Sequence, residues 1–268
     1  MNFVKELGLG GFGKIILLEE ETTKRKIVQK SLINPCPENC ERLIREGRIY
    51  QQLKDNPFII DIIGGSFDKN NPVLLLPYYE KGTLQNWVGR THWYRTLAAV
   101  QNIAGALEAV HNLGGFHRDI KPSNLFVDEI NGSTIIKLGD FGIGRLPQPI
   151  IDRDITRHAC GTDGYIAPEL YLKNAQFTSA CDIYSLGITG IESITGSRNP
   201  NSIVNSWINN DVKHLLLKMT NSNPDLRPSA HEIKNKARFI LENHNKNVNT
   251  GLTILGATLL GLIIWDSN

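Results

Sequence analysis

Cysteine is scarce in this chain of 268 residues: there are four, Cys36, Cys40, Cys160 and Cys181. None forms a Cys-x-x-Cys pair, and no Cys/His run has zinc-finger spacing, which excludes a disulfide framework and a structural zinc site. The four read as free thiols, mostly buried, in a reducing compartment. An excess of charge of one sign is also lacking. With 29 Lys and Arg against 27 Asp and Glu the formal charge is +2, too small to argue for nucleic acid or an acidic surface as partner. The opening Met1-Asn2-Phe3-Val4-Lys5-Glu6 has no charged region followed by an apolar stretch. The expectation is therefore a cytoplasmic body without a secretory leader. There is no internal repeat. What remains is an ordinary globular balance, 41% hydrophobic and 21% charged, enough for one large domain or two small lobes sharing a cleft.

The first third reads as strands with one helix. Lys14 to Leu18 and Arg25 to Lys30 are β-rich runs separated by the polar turn Glu20 to Lys24. Asn39 to Leu53 carries Leu43, Ile44, Ile49 and Leu53 at helical spacing, and two more strands are expected around Ile59 to Ile63 and Val73 to Leu76. From Leu84 onward the pattern turns helical: Leu97 to Leu113, Ser179 to Thr195, Val212 to Met219 and Ala230 to Glu242. A small β-rich part followed by a larger helical one is an α+β arrangement. Residues 244–250 read as a polar, breaker-rich linker, and 251–268 as a separate hydrophobic tail.

Gly8-Leu9-Gly10-Gly11-Phe12-Gly13 matches G-x-G-x-x-G, a weak signal alone because dinucleotide-binding proteins share it. A dinucleotide fingerprint needs a strand before and a helix after. Here only seven residues precede the glycines and a strand-like run follows them, with Ile15 continuing the pattern. That suits a hairpin whose backbone closes over phosphates, where a missing Cβ permits close approach. Lys30 ends a β-run and Glu46 sits mid-helix. Taken singly these are usually surface charges; together they can aim an ammonium at phosphate oxygens. The decisive stretch is His117-Arg118-Asp119-Ile120-Lys121-Pro122-Ser123-Asn124, followed by Asp140-Phe141-Gly142 and then by Gly161-Thr162-Asp163-Gly164-Tyr165-Ile166-Ala167-Pro168-Glu169. A carboxylate at Asp119 can accept the proton of an attacking hydroxyl. Lys121 can neutralise charge on a transferring phosphoryl group. Asn124 and Asp140 offer hard oxygens that suit Mg²⁺.

These motifs, in this order and spacing, resemble a eukaryotic-type (Hanks-type) protein kinase over roughly residues 2–243. The resemblance implies a bilobal fold, with residues 1–79 as the small N-lobe and 80–243 as the C-lobe. It implies ATP and Mg²⁺ (or Mn²⁺) as cofactors and protein serine or threonine as acceptor. Gly8, Gly10 and Gly13 would cover the phosphates, and Lys30 would hold them while paired with Glu46. Asp119 would be the base, assisted by Lys121, with Asn124 and Asp140 on the metal. Ile15, Val28 and Leu76 would line the adenine pocket, with Leu76 as gatekeeper and Pro77-Tyr78-Tyr79 as hinge. Tyr50, Ile62, His117 and Phe141 fall where the family stacks its regulatory spine. Asp182 falls where a helix anchors the catalytic loop, and Glu169 and Arg227 where the family has an ion pair. Lys121 and Thr162 are similar to the serine/threonine pattern.

Two departures stand out. Val28 replaces the usual Ala, and the stretch between Thr195 and Val212 is short, so the family's substrate-docking helix is expected to be reduced. Thr156 is the one hydroxyl residue between Phe141 and Cys160, and the expectation is that its phosphate would dock on Arg118. The uncharged run Leu252 to Trp265 is read as a C-terminal anchor giving membrane association through 251–265, with the kinase facing the cytosol. As a helix it reaches about 21 Å against a hydrocarbon core of about 30 Å, so packing onto protein is the alternative. Two competing functions remain: a pseudokinase-type scaffold or allosteric partner, and a small-molecule kinase. The first usually lacks the strand lysine, the catalytic Asp or the D-F-G Asp; the second usually lacks A-P-E. All are present here.

Overall fold

Leu17, Leu18, Ile27, Leu74 and Leu76 are buried, and the strands that carry them build the first third of the chain around a sheet. The computed structural model describes residues 1–9, 13–130, 132–141, 161–173 and 175–254. Strands β1 (Asn2–Leu9), β2 (Gly13–Glu19), β3 (Lys26–Leu32), β4 (Gly64–Ser66) and β5 (Val73–Pro77) pair antiparallel in the order β1-β2-β3-β5-β4. Helix α1 (Pro37–Gln52) starts on a proline, whose missing N–H is not needed in a first turn. It buries Leu43, Ile44, Ile49 and Tyr50. Gly47 lets it come close: a Cβ there would lie 2.5 Å from the Phe67 ring and 2.6 Å from Leu74.

The second half is helical around one hairpin. It comprises α2 (Trp93–Asn112), β6 (Leu125–Ile130), β7 (Ser133–Leu138), α3 (Ser179–Thr195), α4 (Asn210–Met219) and α5 (Ala230–Ile254). Leu97, Val100, Ile103, Leu107 and Val110 give α2 an apolar stripe at helical spacing, and it packs on α3 and α5. Helix α3 is buried almost all round. Its hydroxyls at Ser185, Thr189 and Ser193 donate to the carbonyl four residues back at 3.1, 2.9 and 2.7 Å, so no hydroxyl among them is buried without a partner. Gly196, with φ 73°, takes the left-handed turn that ends it. The α+β class and the two-part architecture expected from the sequence are present.

Four local expectations are corrected. Asn2–Leu9, not read as a strand, is the edge strand β1. Ile59 to Ile63 is not a strand: Ile59 makes one parallel bridge to Leu138, and the Ile60 amide donates to the Leu138 carbonyl at 3.0 Å. That apolar run is used in packing against β7, and sheet pairing begins at Gly64. The β6–β7 hairpin lies inside the region read as helical; its burial alternates only at its start, which weakens the strand period. Residues 244–250 are helical and continue α5, because Asn and His cost a packed helix little and no Gly or Pro interrupts before Gly251. Residues 255–268 of the proposed anchor lie outside the described residues. Among the described residues no helix is long and apolar enough to cross a membrane. Between α3 and α4 there is a single 3-10 turn, Pro200–Ile203, so the docking-helix region is reduced as expected.

One ion pair closes the helical half. The Arg227 guanidinium, with none of its side chain exposed, donates two bonds of 2.7 Å to the Glu169 carboxylate. It also donates to the carbonyls of Ala180 at 2.9 Å and Asn221 at 2.8 Å. Burial disfavours the charge on Glu169, and Arg227 overrides it, holding the carboxyl below its ordinary value of 4.5. The contribution is thus present above that value and is lost as pH falls through the lowered one. Arg227→Ala is expected to destabilise the fold by about 3 kcal/mol, because the half-buried Glu169 carboxylate loses its cation and the carbonyls of Ala180 and Asn221 lose their donor. A denaturant melt checks this, and an unchanged midpoint would refute it.

Candidate active site

Val28 and Lys30 lie two residues apart on β3 and so share a face. The register sets Ile15 of β2 opposite Lys30 and Leu76 of β5 opposite Val28, which brings all four to the same side of the sheet. Gly8 pairs with Ile15 beside them. A Cβ built on Gly8 would meet nothing within 4 Å, so packing does not demand glycine there and space is left over the sheet. Gly13 differs: its Cβ would stand 3.0 Å from the Ser31 carbonyl, so the β2–β3 pair itself asks for glycine. Gly10 lies outside the described residues. Tyr78 and Tyr79, expected as hinge, line a groove of about 560 Å³ together with Lys26, Asp61, Glu80 and Asp128.

The charges converge on Lys30. Its ammonium donates to both oxygens of Glu46 at 2.8 Å and to Asp140 Oδ1 at 3.0 Å. Glu46 is 1% exposed, whereas Asp140 keeps 45% of its side chain open, enough to take a further ligand. Burial works against the Lys30 cation, but the two carboxylates outweigh it and raise its pKa. Burial likewise opposes the charge on Asp140, and Lys30 overrides it, holding the carboxyl below 3.8. The Tyr50 hydroxyl joins the set: it donates to Glu46 Oε1 at 3.2 Å and accepts the Asp140 N–H at 2.8 Å. The Tyr50 and Phe141 rings meet edge to face at 5.5 Å, and His117 meets Phe141 at 4.6 Å. Ile62, the fourth spine position, is half-buried against the same core.

A second set surrounds Asp119. Its Oδ1 accepts from the Thr162 amide at 3.1 Å and the Thr162 hydroxyl at 2.7 Å. Its Oδ2 lies 2.7 Å from the Lys121 ammonium and accepts from Asn124 Nδ2 at 3.1 Å. Lys121 also donates to the Thr162 hydroxyl at 2.6 Å. His117 links the two sets. Gly139 O can only accept and Asp119 N can only donate, so the ring carries its proton on Nε2, toward Gly139 at 3.0 Å. Nδ1 then receives the Asp119 amide at 3.3 Å. Burial pushes the imidazole below its ordinary value, which keeps it neutral in this role.

The loop is held from below. Asp182 on α3, fully buried, accepts the amides of His117 at 3.0 Å and Arg118 at 2.8 Å, and pairs with His111 Nε2 at 3.0 Å. These bonds fix Arg118 at φ 73°, and Asp140 sits at φ 61°. Both are sparsely populated for non-glycine residues and persist only where surroundings over-determine them.

The structure thus brings Lys30, Glu46 and Asp140 together, and Asp119, Lys121 and Asn124 together. Sequence reasoning named Thr162 and Tyr50 but not the hydrogen bonds that they make to Asp119 and Asp140. Thr162 was visible only as part of a G-T-x-x-Y pattern, and nothing in a helical tyrosine announces where its hydroxyl points. Gly142 and Thr156 lie outside the described residues. No cluster of three His, Cys, Asp or Glu that could cage a metal alone exists among the described residues. Asn124, whose amide nitrogen is turned to Asp119, and the open Asp140 would offer two oxygen donors instead. That small donor set fits Mg²⁺, which takes one or two protein ligands plus phosphate and water.

Comparison with known proteins agrees with this geometry. A profile described as protein kinase domain matches residues 1–239. Serine/threonine-protein kinase PknK of Mycobacterium tuberculosis is 33% identical over 198 residues, 72% of this chain and 17% of that protein. Calcium-dependent protein kinase 12 of Arabidopsis thaliana is 29% identical over 252 residues, 85% of this chain and 50% of that protein. CBL-interacting serine/threonine-protein kinase 5 of the same plant is 29% identical over 188 residues, 68% of this chain and 41% of that protein. The chain therefore spans half or less of the length of these relatives. Asp182→Ala, which orphans the buried amide of His117 and the part-buried amide of Arg118, is expected to cost about 3 kcal/mol of stability. It should also abolish any activity of the loop, although among the described residues the bonds of Asp182 go to His111 and to the backbone at 117 and 118. Urea unfolding read beside turnover checks this, and full activity at unchanged stability would contradict it.

Proposed function

This chain belongs to the protein kinase family, and from that premise we propose that it transfers the γ-phosphate of ATP to serine or threonine hydroxyls of proteins. One observation carries the reading: a single ammonium, Lys30, is shared between the carboxylate of Glu46 on α1 and the half-open carboxylate of Asp140. Protein kinases use ATP with Mg²⁺, which would supply positive charge against the phosphates when bound. Asn124 and Asp140 would hold it. Gly8, Gly10 and Gly13 would cover the phosphates; Ile15, Val28 and Leu76 would pack on adenine, which the backbone of Tyr78 and Tyr79 would meet at its edge. Asp119 accepts the proton of the acceptor hydroxyl while Thr162 and Lys121 fix the direction of its carboxylate. Lys121 and Thr162, the two residues similar to the serine/threonine pattern, are hydrogen-bonded to each other, which supports that acceptor class. The pseudokinase alternative finds no support, since Lys30, Asp119 and Asp140 are all present and paired.

The test uses the purified chain with Mg²⁺, labelled ATP and a generic protein substrate. Label should appear on serine or threonine. Asp119→Asn should lower the rate by about 10²–10⁴-fold while nucleotide binding is retained. A variant as fast as the parent, or a parent that binds no nucleotide, would end the proposal. Membrane association through residues 251–265 rests on their uncharged composition alone. Removing residues 251–268 should then shift the protein from membrane to soluble fractions; an unchanged distribution would dismiss it.

A further inference from the structure

Tyr50 follows Glu46 by one turn of α1, so both side chains lie on one face of the helix. The ring is fully buried, and its edge packs on Phe141. A phenylalanine would fill that space equally well. A phenolic oxygen placed there costs free energy unless it is hydrogen-bonded. It is bonded twice, and both partners belong to the Lys30 set: the Glu46 carboxylate accepts its proton, and the Asp140 amide donates to its lone pair. Asp140 is held at φ 61°, in the left-handed region, which few residues other than glycine adopt and which Asp tolerates better than most. Its carboxylate direction depends on that backbone, and the Tyr50 oxygen is the acceptor that the amide meets.

We propose that the Tyr50 hydroxyl is a positioning group that ties the backbone of Asp140 to Glu46, and so makes the aim of the Asp140 carboxylate depend on the seating of α1. The inference rests on the phosphotransfer reading above for its consequence, but the hydrogen bond can be read without it. A purely apolar residue at Tyr50 would stack on Phe141 and transmit packing alone. The hydroxyl adds direction, because it fixes one amide against one carboxylate.

The experiment compares the full chain with Tyr50→Phe by two measurements. The first is amide hydrogen exchange without nucleotide. In the parent, the Asp140 amide is expected to exchange as slowly as that of Gly139, which donates to the Asn124 carbonyl at 3.0 Å. In Tyr50→Phe the Asp140 amide should exchange about tenfold faster or more, with Gly139 unchanged. The second is a Mg²⁺ titration of phosphate transfer, in which the half-saturating Mg²⁺ should rise about three- to tenfold. A change in overall stability alone would not move the metal requirement. Fast exchange at Asp140 in the parent overturns the proposal, as does a variant with unchanged exchange and unchanged Mg²⁺ requirement. If the variant fails to fold, exchange in the parent decides whether the amide is held. If the parent transfers no phosphate under any metal, the kinase reading falls, and the exchange comparison still decides for the hydroxyl.

Discussion

An ammonium drawn largely out of water needs anions around it, because the low-polarity interior does not return the hydration that it loses. Lys30 satisfies that demand with carboxylates drawn from two elements outside its own strand: Glu46 on α1 and Asp140 after β7. Sheet, helix and loop are thereby brought to one point. Buried ion clusters are weak contributors to net stability and can be matched by apolar packing, so the gain here is geometric. A one-turn slip of α1, about 5.4 Å, would take Glu46 out of reach and leave a cation facing a single half-open carboxylate.

The same logic recurs around Asp119 with neutral groups added. Its two oxygens are divided: one is held by Thr162 and the other shared by Lys121 and Asn124. His117 then transmits position between the loop that holds Asp119 and the residue before Asp140, donating with one nitrogen and accepting with the other. Each set is fixed by hydrogen bonds whose donors and acceptors can be assigned without ambiguity. That is the kind of preorganisation that phosphoryl transfer requires, since the chemistry is mostly placement and charge.

Much of this was legible in the sequence because motif residues carry their chemistry in their type. The long helices were legible for a different reason: α3 and α2 repeat apolar residues at a single period over many turns. The losses share a cause. β1, β6 and β7 are short or partly exposed and give little alternation, while Ile59 to Ile63 is apolar enough for a strand but meets β7 through one bridge. The polar stretch after Glu242 looked like a linker because composition does not reveal that a helix already packed on α2 can continue through Asn and His. Thr162 and the Tyr50 hydroxyl act across 43 and 90 residues of sequence, beyond any local pattern.

The seat beneath the loop has a consequence for how competence is acquired. Arg118 adopts a backbone conformation that an isolated segment would abandon, and the acceptors that stabilise it belong to Asp182, on the most enclosed helix of the molecule. The loop around Asp119 can therefore take its working shape only after that interior has formed. A partly folded chain would hold every motif and still be inert. On the phosphotransfer reading, turnover would report the integrity of the helical core, and a perturbation that loosens α3 would silence the protein before it unfolds it.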